Sequence, residues 1–284
     1  MTKLDKKRHY IQQYCSSFVF NYNLTVMKRP LILVVNDDSI TAKGIRFLIR
    51  IMNDLGDVIV VAPDTPQSAK GHAITIDKTI RCEKVILDNG PQLEYACSGT
   101  PADCVKLAIN KILEKEPDLC VSGINHGSNS SINVIYSGTM GASIEAAIEG
   151  VSSIGFSILD YADDADFTES EKYIRKITKH VLENKSEKKL CLNVNIPKSI
   201  RGRKIKGLKV CRQANAKWEE EFEERIDPKG KKYYWLTGKF VNYDNEKDTD
   251  EWALFNHYIS IVPVQFDMTN HSSLSYINTL FLNE

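Results

Sequence analysis

Leu31-Ile-Leu-Val-Val-Asn-Asp-Asp-Ser39 carries an unbroken apolar run and then, with no spacer, an asparagine, two carboxylates and a serine. A run without alternation, rich in β-branched residues, suits a strand covered on both faces, as in a parallel sheet. The polarity flips where such a strand ends. In open α/β sheets the ligand crevice lies at the carboxyl ends of the strands. Two readings of Asp37 and Asp38 follow. Either one caps the next helix and the other is solvated, or both face a bound cation that lets them stay ionised side by side.

The flanking chain repeats the pattern. Ile45, Leu48, Ile49 and Met52 have helical spacing, with Thr41 as the expected N-cap and Gly56 as the stop. Asp57-Val-Ile-Val-Val-Ala62 is a second buried strand, ended by Pro63, so residues 31–62 form a right-handed β-α-β unit. The polar loop Pro63-Asp-Thr-Pro-Gln-Ser-Ala-Lys-Gly-His72 then leaves a strand end. Val85-Ile-Leu87 and Leu93-Glu-Tyr-Ala96 predict a hairpin turning at Asp88-Asn-Gly90. Thr100, Pro101 and Asp103 give a helix start, and that helix is expected to run to about Leu113. Asp118-Leu-Cys-Val-Ser122 is another strand, again followed by an abrupt switch, Gly123-Ile-Asn-His-Gly-Ser-Asn129. Tyr136-Ser-Gly-Thr-Met-Gly-Ala142 opens an alanine-rich helix whose free N–H groups offer an anion site. Neither a P-loop nor a Gly-x-Gly-x-x-Gly fingerprint is present.

Three strand ends thus open on one sheet edge. They bring Asp37 and Asp38, the loop serine Ser68, and Asn125. This all-oxygen set favours a hard divalent cation, Mg²⁺, Mn²⁺ or Ca²⁺, over a thiolate or imidazole zinc site. The adjacent anion-binding helix start points to a phosphate ester as substrate. His72 and His126 lie near the edge in sequence, each either a proton shuttle or a solvated loop histidine.

The totals set bounds. The chain has 284 residues, 42% hydrophobic content and a formal net charge of zero, so nothing global argues for a nucleic-acid polymer or a membrane surface. No apolar stretch approaches the ~20 residues of a membrane span. Seven cysteines with no CxxC pair make a poor disulfide framework and fit a reducing cytoplasm.

Several of these stretches together are similar to one family. Asn36-Asp-Asp38, Ala62-Pro-Asp with Gln67-Ser68 and Gly71-His72, Gly99-Thr-Pro-Ala-Asp-Cys104, Val121-Ser-Gly-Ile-Asn-His-Gly127 and Tyr136-Ser-Gly-Thr139 resemble the stationary-phase survival protein SurE family. The similarity resumes at Asp248-Thr-Asp-Glu-Trp-Ala253 and Tyr258-Ile-Ser-Ile-Val-Pro263. The resemblance implies a Rossmann-like core and 5′- and 3′-nucleotidase activity. It implies a divalent metal on Asp37, Asp38, Ser68 and Asn125, and a homodimer or homotetramer built partly by exchanged C-terminal segments. One departure stands out: the family's glycine after the aspartate pair is Ser39 here, which would narrow the pocket or strain the turn if its φ is positive.

The expected fold is α/β, a mostly parallel sheet sandwiched by helices, with a C-terminal β-hairpin and oligomerisation extension. Residues 1–29 read as an N-terminal extension, with Met27 as the suspected natural start. Residues 30–284 form the remaining unit, with its core in 30–197 and a hairpin and arm in 198–284. In the arm, Ile200 to Lys209 reads as a solvated basic face. Trp218 to Arg225 and Lys231 to Leu236 flank Asp227-Pro-Lys-Gly230 as an aromatic hairpin suited to subunit contact.

The functional expectation is a phosphomonoesterase that hydrolyses nucleoside monophosphates with a metal-activated water. Asp37, Asp38 and Asn125 are the catalytic candidates. Asn36, Ser68, Gly71, Asn125, Ser137, Gly138 and Thr139 are the candidates for substrate and phosphate. The alternatives are a phosphatase for other small esters or short polyphosphate, and a non-catalytic nucleotide-binding protein.

Overall fold

A computed structural model of the chain describes residues 29–162, 164–184, 188–200 and 202–282. The suspected start at Met27 and the segment before it lie outside the described residues.

The stretch 31–35 forms β1 (Leu31–Val35), and all of its residues are buried. The reason for the unbroken apolar run is visible in where alternate side chains go. Ile32 and Val34 join a core cluster with Ile45, Leu48, Ile49 and Met52 of α1 (Lys43–Asn53). Leu33 and Val35 join a second cluster on the opposite face, with Cys104 and Val105 of α2 (Pro101–Leu107) and Ala142 and Ala146 of α4 (Gly138–Ile148). A strand with helices on both sides has no polar face.

The main sheet has nine strands in the order β3-β4-β2-β1-β5-β6-β7-β11-β8. These are β2 (Asp57–Pro63), β3 (Cys82–Val85), β4 (Leu93–Cys97), β5 (Leu119–His126), β6 (Ser153–Ile158), β7 (Cys191–Ile196), β8 (Gly207–Val210) and β11 (Tyr258–Pro263). The β3–β4 and β7–β11 pairs are antiparallel and the other neighbours are parallel. A separate antiparallel ribbon pairs β9 (Ala216–Ile226) with β10 (Lys232–Asn242). The remaining helices are α3 (Asn133–Tyr136), α5 (Glu171–Glu183), α6 (Asp250–Phe255) and α7 (Leu274–Leu282).

The order matters for function. From β1 the chain moves outward through β2 to β4, then returns to place β5 on the other flank of β1. The direction of winding reverses between β1 and β5, and a crevice opens beyond the carboxyl ends at such a switch point. Those two ends carry Asp37 and Asp38, and Asn125 and His126.

Several local expectations are corrected. Thr41 does not cap α1: Ala42 holds that position with no side-chain bond, and the Thr41 hydroxyl lies 3.1 Å from that of Ser39. The turn of the β3–β4 hairpin is longer than Asp88-Asn-Gly90, because pairing stops at Val85 opposite Glu94. Ile200 to Lys209 is not only a solvated basic face, since it runs into β8, which pairs in parallel with β11. The start of α2 matches expectation. The Thr100 hydroxyl accepts from the Asp103 N–H at 3.1 Å, and the Asp103 carboxylate accepts from the Thr100 N–H at 2.9 Å.

Candidate active site

The loop after β1 brings Asp37 into the interior at 3% exposure and leaves Asp38 half-buried. Burial and the adjacent Asp38 charge raise the Asp37 pKa to about 6, against the opposing effect of hydrogen bonds from Thr139. The Thr139 hydroxyl donates to Asp37 Oδ1 at 2.6 Å. Burial also raises the Asp38 pKa, opposed by the His126 N–H, which donates to Asp38 Oδ2 at 3.3 Å.

Helix α4 begins directly against this pair. A Cβ at Gly138 would lie 2.8 Å from the Asp37 Cβ and 2.9 Å from its Oδ2, so only glycine lets the helix end come this close. The Thr139 backbone N–H also bonds to Asp37. The anion held at this helix start is therefore the protein's own carboxylate. Ser137, the N-cap, accepts from the Met140 N–H at 3.0 Å and lines the cleft.

Ser68 sits on the exposed loop after β2, between two backbone anchors. The Gln67 N–H donates to Asp37 O at 2.7 Å, and the Gly71 N–H donates to Tyr136 O at 3.0 Å. Asn125 lies near the end of β5. Its Nδ2 donates to Gly127 O at 2.9 Å, which leaves its side-chain oxygen as the atom with acceptor capacity toward the cleft.

One cleft of about 240 Å³ is lined by Asp37, Asp38, Ser68, Asn125 and Ser137 together. Gly71, Asn36, Gly138 and Thr139 are not among its lining residues. The Gly71 amide is engaged by Tyr136, and Asn36 is buried with its Nδ2 donating to Ser39 O at 2.7 Å. His72 turns away: its Nε2 lies 2.7 Å from Glu145 Oε2, and Lys106 Nζ donates to the other Glu145 oxygen at 2.6 Å. His126 lines the cleft, with its ring edge-on to Phe167 at 5.4 Å between centroids. Ser39, at φ +90°, is buried and does not line the cleft.

Among the described residues, no lysine or arginine lines the cleft and no trio of His, Cys, Asp or Glu side chains is placed to hold a metal. Two adjacent desolvated carboxylates in a cleft lined by no lysine or arginine, plus a hydroxyl and an amide oxygen, fit a hard divalent ion.

Among the cleft residues that sequence reasoning did not place in the site are Asn129, Asn133, Tyr161 and Trp218. Trp218 lay in what read as a subunit-contact hairpin. It also missed Asp250, which is 1% exposed and accepts from the N–H groups of Ser131, Ala214 and Glu251 at 2.8, 2.9 and 2.8 Å.

Comparison with known proteins gives concordant matches. The family model "Survival protein SurE" matches residues 32–220. A Christiangramia forsetii protein named 5′-nucleotidase SurE is 62% identical over 258 residues, covering 90% of this chain and 99% of that protein. Its namesake from Flavobacterium psychrophilum is 59% identical over 258 residues, covering 91% and 100%. The crystal structure of the SurE protein from Aquifex aeolicus superposes with a TM-score of 0.75 at 38% identity, covering 88% of this chain and 99% of that one.

Proposed function

The chain belongs to the SurE survival-protein family, and from that premise we propose that it hydrolyses nucleoside 5′-monophosphates, and their 3′ isomers, to nucleoside and phosphate. The observation that carries this reading is the cleft in which two desolvated aspartates meet a hydroxyl and an amide oxygen with no lysine or arginine among its lining residues. Asp37, Asp38, Ser68 and Asn125 would hold Mg²⁺, Mn²⁺ or Ca²⁺. Such a cation, when bound, supplies Lewis-acid polarisation of a phosphoryl oxygen and a lowered pKa for the attacking water.

The chain's own groups supply orientation and protons. Thr139 fixes the Asp37 carboxylate through its hydroxyl and its N–H. Gly127 holds the Asn125 amide with its oxygen available. Ser137 already accepts from Met140, so its hydroxyl proton is free to donate to a phosphoryl oxygen. The departing nucleoside oxygen needs a proton, and His126 is the cleft-lining imidazole suited to provide it.

The catalytic unit spans residues 30–284. Its core sheet is completed by β8 and β11 from the arm, and its exposed apolar side chains favour a homodimer or homotetramer. Trp235 and Leu236 on the ribbon and Ile277, Leu280 and Phe281 on α7 are all exposed in the single chain. Six described cysteines are free and no described helix is long and apolar enough to cross a membrane, which supports a cytoplasmic setting.

Phosphate release from AMP and GMP in the presence of Mn²⁺ or Mg²⁺, and its loss with EDTA, tests the reading. Asp38→Asn keeps the side chain's size and removes a ligand charge. It is expected to cut turnover by at least about a hundredfold while circular dichroism and melting show an intact fold. Wild-type turnover by that variant would overturn the assignment.

A further inference from the structure

The metal end of the cleft is polar, but its other end is aromatic. Trp218 and Tyr161 line the same cleft as the aspartate pair, and each keeps open surface, 41% and 73% exposed respectively. Neither ring is loosely held. The Trp218 Nε1–H donates to Asn133 Oδ1 at 2.8 Å, and the indole packs edge-on against Phe240, its register partner on β10, at 5.6 Å between centroids. The Tyr161 ring is seated on the backbone of Gly127, where a Cβ would lie 2.4 Å from Tyr161 Cε1. That same Gly127 carbonyl orients Asn125, so the ring and the amide share one support.

The polar side chains at this end are each engaged through one atom. The Asn133 side-chain oxygen accepts from the indole, and the Asn129 side-chain nitrogen donates to Ser157 Oγ at 2.7 Å. No charged side chain lines the stretch from Ser128 through Ser137. A ligand whose phosphate rests at Asp37 and Asp38 therefore meets the aromatic surfaces of Trp218 and Tyr161 at this end.

We propose that Trp218 and Tyr161 form a base subsite, which takes the nucleobase of the substrate by stacking on its face and favours purines over pyrimidines. The inference rests on the cleft being a nucleotide site. Stacking is tolerant of base identity because every base has a π-face, and purines present the larger one. Trp218 is thus a specificity-determining residue delivered to the cleft by a ribbon that is not part of the main sheet.

The test compares AMP, CMP and ribose 5-phosphate on wild type, Trp218→Leu and Trp218→Phe. In wild type the kcat/KM for AMP is expected to exceed that for CMP and, by more, that for ribose 5-phosphate. In Trp218→Leu the ratio of AMP to ribose 5-phosphate is expected to fall about tenfold, within the range set by alanine substitution at stacked bases. The loss should appear in KM more than in kcat, and Trp218→Phe should recover most of it. A ratio unchanged in Trp218→Leu would overturn the proposal, as would a wild type that gains nothing from a base.

Tryptophan fluorescence with adenosine separates this proposal from the reading it rests on. The chain has three tryptophans, so the quench attributable to Trp218 is the difference between wild type and Trp218→Phe. Quenching by adenosine without phosphate release from any ester supports the subsite and refutes the hydrolase. Hydrolysis of ribose 5-phosphate and AMP at equal efficiency, without quenching, refutes the subsite and keeps the hydrolase.

Discussion

Asp37 is held in a position that costs the metal-free fold stability. Its pKa is raised to about 6 from 3.8, so the native state binds its proton more tightly than the unfolded chain does. The stabilisation linked to that proton is present below pH 3.8 and is lost as pH rises through 6. A shift of this size corresponds to about 3 kcal/mol. Asp37→Asn keeps the acceptor for Thr139 and cannot ionise. In chelator, urea unfolding should find Asp37→Asn more stable than wild type at pH 7.5, by an amount that narrows on acidification to pH 4.5. Divalent metal should close most of that gap by stabilising wild type alone, by about 2.7 kcal/mol at a hundred times its Kd. A second residue stores strain without touching the cleft. Ser39 has φ +90°, a region suited to glycine, and its hydroxyl makes a local contact with Thr41. Ser39→Gly is expected to raise the free energy of unfolding by about 1 kcal/mol, read as a higher urea midpoint, and to leave kcat within twofold. A lower midpoint would show that the hydroxyl contact outweighs the backbone strain.

At the scale of elements, α1 and α4 set the spacing of the cleft from opposite faces of the sheet. α4 reaches Asp37 through Gly138, and α1 rests on the end of β5 through Gly44. A Cβ at Gly44 would lie 2.0 Å from the Ile124 carbonyl oxygen, immediately before Asn125. Backbone cannot yield there as a flexible side chain could, so Gly44→Ala should cost about 2–3 kcal/mol. It should also weaken metal binding, because the displaced strand end carries the proposed ligand Asn125; urea unfolding reads the first effect and calorimetric titration with Mn²⁺ the second. Equal metal affinity in a destabilised variant would show that α1 supports the strand without setting the site. The helix starts were legible because capping is local. Thr100, Pro101 and Asp103 specify a start within four residues, and the capping box forms as read. Thr41 misled because a hydroxyl two residues away, on Ser39, competes for it.

For the molecule as a whole, the C-terminal third completes a site whose proposed ligands all lie in the first half of the chain. Asp250 lies 119 residues from Ser131 and accepts its N–H at 2.8 Å. The Ser130 hydroxyl donates to Glu251. Asn129 is fixed by Asn193 and Asn195 of β7: its carbonyl accepts from Asn193 Nδ2 at 2.7 Å, and its N–H donates to Asn195 Oδ1 at 2.8 Å. The loop that borders the cleft is thereby clasped from two distant segments. Asp250→Ala strands three buried or half-buried N–H donors and should cost about 3 kcal/mol. It should also raise KM for AMP although Asp250 does not line the cleft. Melting scans and steady-state kinetics check the two halves of that statement, and a destabilised variant with wild-type KM would refute the second.

The sequence alone determined the alternation of strands and helices, the two-sided burial of β1, and the polar switches at Asn36-Asp37-Asp38 and Asn125-His126. These are legible because apolar period, capping and polarity act over a few residues and leave a local pattern. Only the tertiary structure decided that β5 sits beside β1, that Thr139 serves Asp37 across 102 residues, and that Trp218 and Tyr161 reach the cleft. Each of those depends on the order in which the strands close into a sheet, and contacts made by closure leave no period in the chain on either side.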